Sequence, residues 1–168
     1  MLDAHSVEGV RGALNGLVAQ GVVIGTPVGR AVQYELNRAH LAALHIVALA
    51  RLRDDLLDAA SELIGAWSIP VVAVVLFGSA ARGDMAVGSD IDIAVVRPAE
   101  TDVDDPTWRN QVDHLEATVT GWTGNDTRTL EYGESEVRST PRDPVLGVIA
   151  AEGIRLAGTW PRPESGAA

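Results

Sequence analysis

The chain has 168 residues, 46% of them hydrophobic, enough for one ordinary domain with a buried core and a small appendage. Its 13 basic residues, all arginine, stand against 23 acidic ones, for a formal net charge of −10. That balance disfavours a general attraction to nucleic acid or anionic lipid, although a local patch or a bound cation can reverse the sign at one site. With no cysteine, the chain has no disulfides, thiolate metal sites or cysteine nucleophiles.

The opening stretch MLDAHSVEGVRGAL lacks a basic region followed by an apolar run, so it does not read as a secretory leader. Val7, Val10, Leu14, Leu17 and Val18 follow helical spacing, with Ser6 as N-cap and Gly21 as the stop. Gly9, Gly12 and Gly16 weaken this helix, which must lean on tertiary packing. VVIGTPVGRAVQYELN then reads as two short strands around a Gly-Thr-Pro-Val-Gly turn, with Val32, Tyr34 and Leu36 on one face and Gln33 and Glu35 on the other.

A long helix is expected next, from about Arg38, with Asn37 as N-cap, to Ile64. Leu41, Leu44, Leu49, Leu52, Leu56, Ala60 and Leu63 form its apolar stripe, and Arg51, Arg53, Asp54, Asp55 and Asp58 its wet side. From Trp67 onward strand and helix alternate. Val71–Phe77, the longest apolar run and far too short to span a bilayer, is a strand buried on both faces. Strands follow at Ile91–Val96, Thr127–Tyr132 and, at an edge, Ile154–Ala157; helices follow at Trp108–Trp122 and Pro144–Glu152. The expected fold class is α+β, a small mixed sheet packed on helices. The expected divisions are residues 1–40, a connecting helix 41–66, a main domain 67–158 and a frayed tail 159–168. With no membrane segment, the expectation is a cytoplasmic protein with no membrane partner.

The stretch LFGSAARGDMAVGSDIDIAVV, Leu76 to Val96, concentrates the chemistry. Strand alternation points Ile91, Ile93 and Val95 one way and Asp90 and Asp92 the other, with the two aspartates roughly 7 Å apart at Cα. Like charges that close repel unless water, an arginine or a cation sits between them. A hard divalent cation fits best, and Mg²⁺ typically uses one or two carboxylates plus substrate phosphates. Gly78 and Ser79 end the preceding strand where a helix starting near Ala80 offers free backbone N–H groups to a phosphate. Alone, a Gly-Ser turn or an Asp-x-Asp says little; the ordered combination is specific.

Gly78-Ser79, Arg82-Gly83 and Ser89-Asp90-Ile91-Asp92, with ten residues between Ser79 and Asp90, resemble the signature of the DNA polymerase β-like nucleotidyltransferase superfamily. The resemblance is to its minimal prokaryotic members, related to the antitoxin partners of HEPN toxins and to aminoglycoside nucleotidyltransferases, and covers about Val71 to Ala157. It implies that Asp90 and Asp92 hold Mg²⁺ on a nucleoside triphosphate, that Gly78, Ser79 and Ser89 belong to the nucleotide-binding turns, and that Arg82 contacts phosphate or buttresses the loop. It further implies a third carboxylate on a later strand, a metal ligand and general base. The best match is Glu131 in TLEYG, since Leu130 and Tyr132 would then face the core and Glu131 with Thr129 the aspartates; many relatives carry Asp there.

The expected reaction is transfer of a nucleoside monophosphate, AMP from ATP, to an acceptor hydroxyl on a small molecule, a partner protein or an RNA end. The N-terminal helix, hairpin and helix resemble the back half of a winged helix-turn-helix. Arg11, Arg30 and Arg38 there are balanced by Asp3, Glu8 and Glu35, which gives DNA binding little support; packing or homo-oligomer formation is the plainer reading. A regulator or antitoxin-like binding module with a degenerate transferase domain is the alternative function. His5, His40, His45 and His114 show no ligand spacing, and the four tryptophans read as core or loop anchors, with Trp122 also a candidate for a base pocket.

Overall fold

The computed structural model describes residues 7–86, 88–140 and 143–162. The chain forms two compact units, residues 1–55 and 56–168. The boundary between them falls inside the stretch 41–66, between Asp55 and Leu56.

In the first unit, α1 (Val7–Ala19) ends where Gly21 turns left-handed at φ 75°. Gly21 N–H bonds to Val18 O and Val22 N–H to Leu17 O, the paired closure of a Schellman motif, as the glycine stop predicts. The expected N-cap, Ser6, lies outside the described residues. Strands β1 (Val23–Val28) and β2 (Ala31–Leu36) pair antiparallel through Pro27 and Val28, so the turn shrinks from five residues to Gly29-Arg30. Gly29 at φ 60° supplies the positive angle that a two-residue hairpin asks of its first central position. Proline at 27 is tolerated because a two-stranded sheet is all edge.

The single helix expected over 38–64 is two: α2 (Ala43–Ala50) and α3 (Leu52–Gly65), parted at Arg51, whose φ −96° and ψ −3° close α2. Asn37 is a turn former and not an N-cap. Its side chain accepts from Ala39 N–H (3.2 Å) and donates to Gly21 O (2.8 Å), while His40 Nδ1 accepts from Ala42 N–H (3.1 Å). The apolar stripe divides accordingly. Leu41, Leu44, Leu49 and Leu52 are exposed, whereas Leu56, Leu57, Ala60, Leu63 and Ile64 join the core of the second unit.

That second unit is built on a four-stranded mixed sheet in the order β5-β4-β3-β6, the α+β class that the sequence predicts. Central strands β3 (Ala73–Phe77) and β4 (Ile91–Arg97) are antiparallel, β6 (Ile154–Gly158) flanks β3 antiparallel, and β5 (Thr127–Gly133) runs parallel to β4. The parallel pair needs a crossover, and α5 (Pro106–Thr123) supplies it. Asp105 caps α5 by accepting from Thr107 and Trp108 N–H, with Pro106 in the first turn.

Both sheet faces are covered, and strand alternation sorts the side chains. Val74, Leu76, Ile91, Ile93 and Val95 pack with Trp108, Val112, Leu115 and Val119 of α5 and with Ala60 and Ile64 of α3. Trp67 meets Trp108 edge to face at 5.7 Å. On the reverse face Ala73, Val75, Phe77, Ala94 and Val96 pack with Val137 of α6 (Glu134–Ser139) and with Leu146 and Ile149 of α7 (Pro144–Glu152). Helix α6 is absent from the sequence expectation. The stretch after β6 is not frayed at its start, because Thr159 N–H bonds to Val72 O and Trp160 packs on the reverse-face core. Trp122 is half exposed and anchors nothing in the core. No helix among the described residues is long and apolar enough to cross a membrane.

Gly153 joins α7 to β6 where any Cβ would collide with the Val75 side chain and the Ile149 carbonyl. Gly153→Ala is expected to cost about 1–3 kcal/mol, the usual scale of overpacking, read as a lower midpoint in urea unfolding.

Candidate active site

The site grows out of the register between the two central strands. β3 ends at Phe77, which pairs with Asp92. The chain then turns at Gly78 straight into the short helix α4 (Gly78–Arg82). Gly78 has φ 71°, and a Cβ there would sit 2.7 Å from the Asp92 carboxylate. Only glycine combines that angle with that approach, so the sequence Phe-Gly-Ser brings a backbone turn directly against a carboxylate. Gly83, at φ 75°, closes α4 with its N–H on Ser79 O.

Asp92 lies on the reverse face with Ala94 and Val96, as the spacing predicts, and Asp90 is close enough for its charge to act on it. Burial is the main cause that holds the Asp92 carboxyl above the ordinary carboxylate range. The neighbouring Asp90 charge adds to the rise, and Arg128 opposes it. Ser89 pins the approach to β4. Its hydroxyl accepts from Ala86 N–H (2.9 Å), and its carbonyl accepts from Asn125 Nδ2 (2.8 Å). Arg82 buttresses the turn, with Nε 3.3 Å from Asp84 and Nη1 3.5 Å from Glu152 of α7.

Glu131 is elsewhere, and this corrects the expected carboxylate triad. In the parallel ladder Asp92 pairs with Arg128, Ala94 with Leu130 and Val95 with Glu131. Paired residues share a face, so Glu131 lies on the Val95 side, opposite the aspartates. There it accepts from Trp108 Nε1 (2.7 Å) and pairs with Arg109. The apolar parity of Leu130 and Tyr132 misleads because the α5–β5 contact is polar. Glu116 accepts from both the N–H and the hydroxyl of Thr129, at 2.8 and 2.7 Å. Leu130, expected in the core, is 42% exposed. The signal that sequence reading passes over is the stripe Arg109, Asp113 and Glu116 on α5, at helical spacing beside the buried Trp108, Val112 and Leu115.

The residue that does reach the aspartates from β5 is Arg128. Its Nη1 lies 2.9 Å from Asp90 and its Nε 3.2 Å from Asp126. Among the described residues no group of three or more His, Cys, Asp or Glu side chains is placed to hold a metal ion. Two carboxylates are too few for a cage of protein ligands; a Mg²⁺ held by such a pair would need further oxygen ligands from outside the chain.

Residues 54–143, just over half of the chain, match the nucleotidyltransferase domain family. The chain belongs to that family. Among solved structures it is similar to a toxin–antitoxin with AMP-PNP, at 22% identity over 58% of this chain and 69% of that one, TM-score 0.39. It is similar to a nucleotidyltransferase from Sulfolobus solfataricus at 19% identity, 63% and 83% coverage and TM-score 0.37. It is also similar to a protein described as a minimal nucleotidyltransferase, at 20% identity, 65% and 93% coverage and TM-score 0.39. No curated protein matches the chain.

Two outcomes follow for this nucleotidyltransferase domain. Because folding holds the Asp92 carboxyl above its ordinary range, the folded state favours the protonated form. The resulting cost is absent at low pH and grows as pH rises through the folded value. Asp92→Asn is therefore expected to raise Tm at neutral pH, with the gain shrinking as the pH falls toward the carboxylate range. Glu131→Gln is expected to lower stability by about 1–3 kcal/mol, since it weakens a half-buried charged acceptor of Trp108 and Arg109, while leaving nucleotide affinity unchanged in calorimetry.

Proposed function

We propose that this domain binds a nucleoside triphosphate, ATP in the first instance, across the Gly78-Ser79 turn and the Asp90–Asp92 pair. It would transfer the nucleoside monophosphate to an acceptor hydroxyl, with pyrophosphate as the leaving group. The single observation that carries this reading is the apposition of Gly78 to the Asp92 carboxylate. A turn whose backbone can approach phosphate lies against an anionic group that phosphate would repel, and a bridging cation resolves that conflict. Asp90 and Asp92 are the residues that would hold Mg²⁺; bound there, it would supply charge neutralisation on the triphosphate.

The chain's own residues would then work by placement. Gly78 admits the phosphates, the Ser79 hydroxyl can donate to a phosphate oxygen, Ser89 fixes the start of β4, and Arg82 braces α4 against α7. Glu131 takes no part. The acceptor is a hydroxyl of a small molecule, a protein or an RNA end.

The placement of Glu131 favours a second reading, a nucleotide-binding module whose transfer chemistry is degenerate. A positioned general base contributes roughly 10²–10⁴-fold, and the site face of β5 presents Arg128 and Leu130 where such a carboxylate would stand. On this reading the domain serves partner contact, as an antitoxin-like or regulatory protein would. The N-terminal helix–hairpin unit would then be a packing or dimerisation element, its balanced charge giving no electrostatic drive toward DNA.

Calorimetry with ATP, with and without Mg²⁺, tests the binding step. Affinity is expected with Mg²⁺ and loss of it in EDTA, whereas equal affinity in EDTA removes the aspartates from the metal role. Asp90→Asn is expected to weaken Mg-ATP binding about tenfold or more, the scale of one lost charged contact. Incubation with labelled triphosphates, Mg²⁺ and host lysate separates the two readings: transfer of label supports the enzyme, and tight binding without transfer supports the module.

A further inference from the structure

Among the described residues, Arg128 is the cation that the sheet register delivers to the aspartate pair. It stands on β5 directly opposite Asp92 and reaches back along the parallel strand to Asp90, Nη1 to Oδ2 at 2.9 Å. Its Nε is held on the other side by Asp126, at 3.2 Å. The guanidinium therefore engages one of the two carboxylates that the reading above gives to a divalent cation, and keeps a second anchor when that carboxylate is taken from it. Two features make this arrangement more than a chance surface pair. β4 and β5 are hydrogen-bonded neighbours along their whole length, so the base of the arginine is fixed relative to Asp90 and Asp92. Asp126 is tied into the same ladder, because its carbonyl accepts the Ile91 N–H at 2.8 Å.

We propose that Arg128 is a built-in competitor of the divalent cation at the Asp90–Asp92 pair, and so sets the metal concentration at which the site accepts a triphosphate. The proposal rests on the reading of the site given above. A guanidinium on Asp90 neutralises part of the pair's charge and occupies a carboxylate oxygen, and both effects lower the affinity for a cation. When the cation arrives, Arg128 swings to Asp126 alone. Arg128 is a positioning residue on this account, because it acts through Asp90 and not on the substrate.

The test uses the full chain and a fluorescent, non-hydrolysable ATP analogue at fixed concentration, with Mn²⁺ titrated as the metal. The readouts are the Mn²⁺ midpoint for nucleotide binding and the nucleotide affinity at saturating Mn²⁺. Wild type, Arg128→Ala and Arg128→Lys are compared, with thermal melts to confirm folding. Arg128→Ala is expected to lower the Mn²⁺ midpoint by about three- to tenfold, the scale of one partly exposed ion pair plus the repulsion of a nearby cation. The effect should shrink at high salt, and affinity at saturating Mn²⁺ should change less than the midpoint. Arg128→Lys, which keeps the charge and loses the planar fork, should fall between the two. An unchanged midpoint in Arg128→Ala overturns the proposal and leaves the metal site standing. A raised midpoint, or weaker binding at saturating Mn²⁺ with no shift in midpoint, also overturns it, by making Arg128 a phosphate contact. Nucleotide binding that ignores Mn²⁺ in the wild type, or no nucleotide binding at all, overturns the reading of the site and this proposal with it.

Discussion

The close approach of Gly78 to Asp92 is the constraint around which the second unit is arranged. It requires β3 and β4 to be antiparallel with Phe77 opposite Asp92, since any other register would carry the turn past the carboxylate. A one-residue slip would also send Asp92 to the α5 side and bring Ile93 to the site face. Ten buried side chains on the two central strands oppose that slip, so the hydrophobic pattern that holds the sheet together also aims the acidic pair.

The two sheet faces divide the labour. The α5 face carries Trp108, Leu115 and the long aliphatic residues of β4, and it keeps its charged groups in closed pairs: Glu131 with Arg109 and Trp108, and Glu116 with Thr129. Those contacts satisfy buried polar atoms and fix the edge strand against the helix. The reverse face has a smaller core of alanine, valine and phenylalanine under α6 and α7, and it opens toward Asp90, Asp92 and Arg128 at the end where β4 begins. An electrostatically strained group such as Asp92 is tolerated there because the opposite face and the central strands supply the stability.

Much of this was legible from the residues. Val71–Phe77 and Ile91–Val96 announce themselves by apolar runs, Gly21 and Pro144 by their punctuation, and Asp90 and Asp92 by alternation against Ile91 and Ile93. Three elements misled. The stripe from Leu41 to Leu63 reads as one helix because helical spacing is blind to a break at a residue such as Arg51, whose type does not mark the turn it makes. Helix α6, six residues rich in charge, has too short an apolar pattern to register. Apolar parity points Glu131 to the wrong face because on β5 the helix-facing residues are threonine and glutamate with hydrogen-bond partners, while Leu130 is partly in solvent. Hydrophobic alternation identifies the inner face only where the inner face is hydrophobic; an edge strand met by polar groups of a helix escapes that rule.

The exposure of β5 on the site side has an evolutionary consequence. Arg128 stands next to the acidic pair and Leu130 further along the same face, opposite Ala94, yet neither belongs to a core, and the strand is anchored from behind at Thr127, Thr129 and Glu131. Replacement at 128 or 130 therefore changes the chemistry presented to a ligand at little expense in folding. On the function proposed above, single substitutions here would move a lineage between catalysis and simple recognition without first requiring compensating changes in the core.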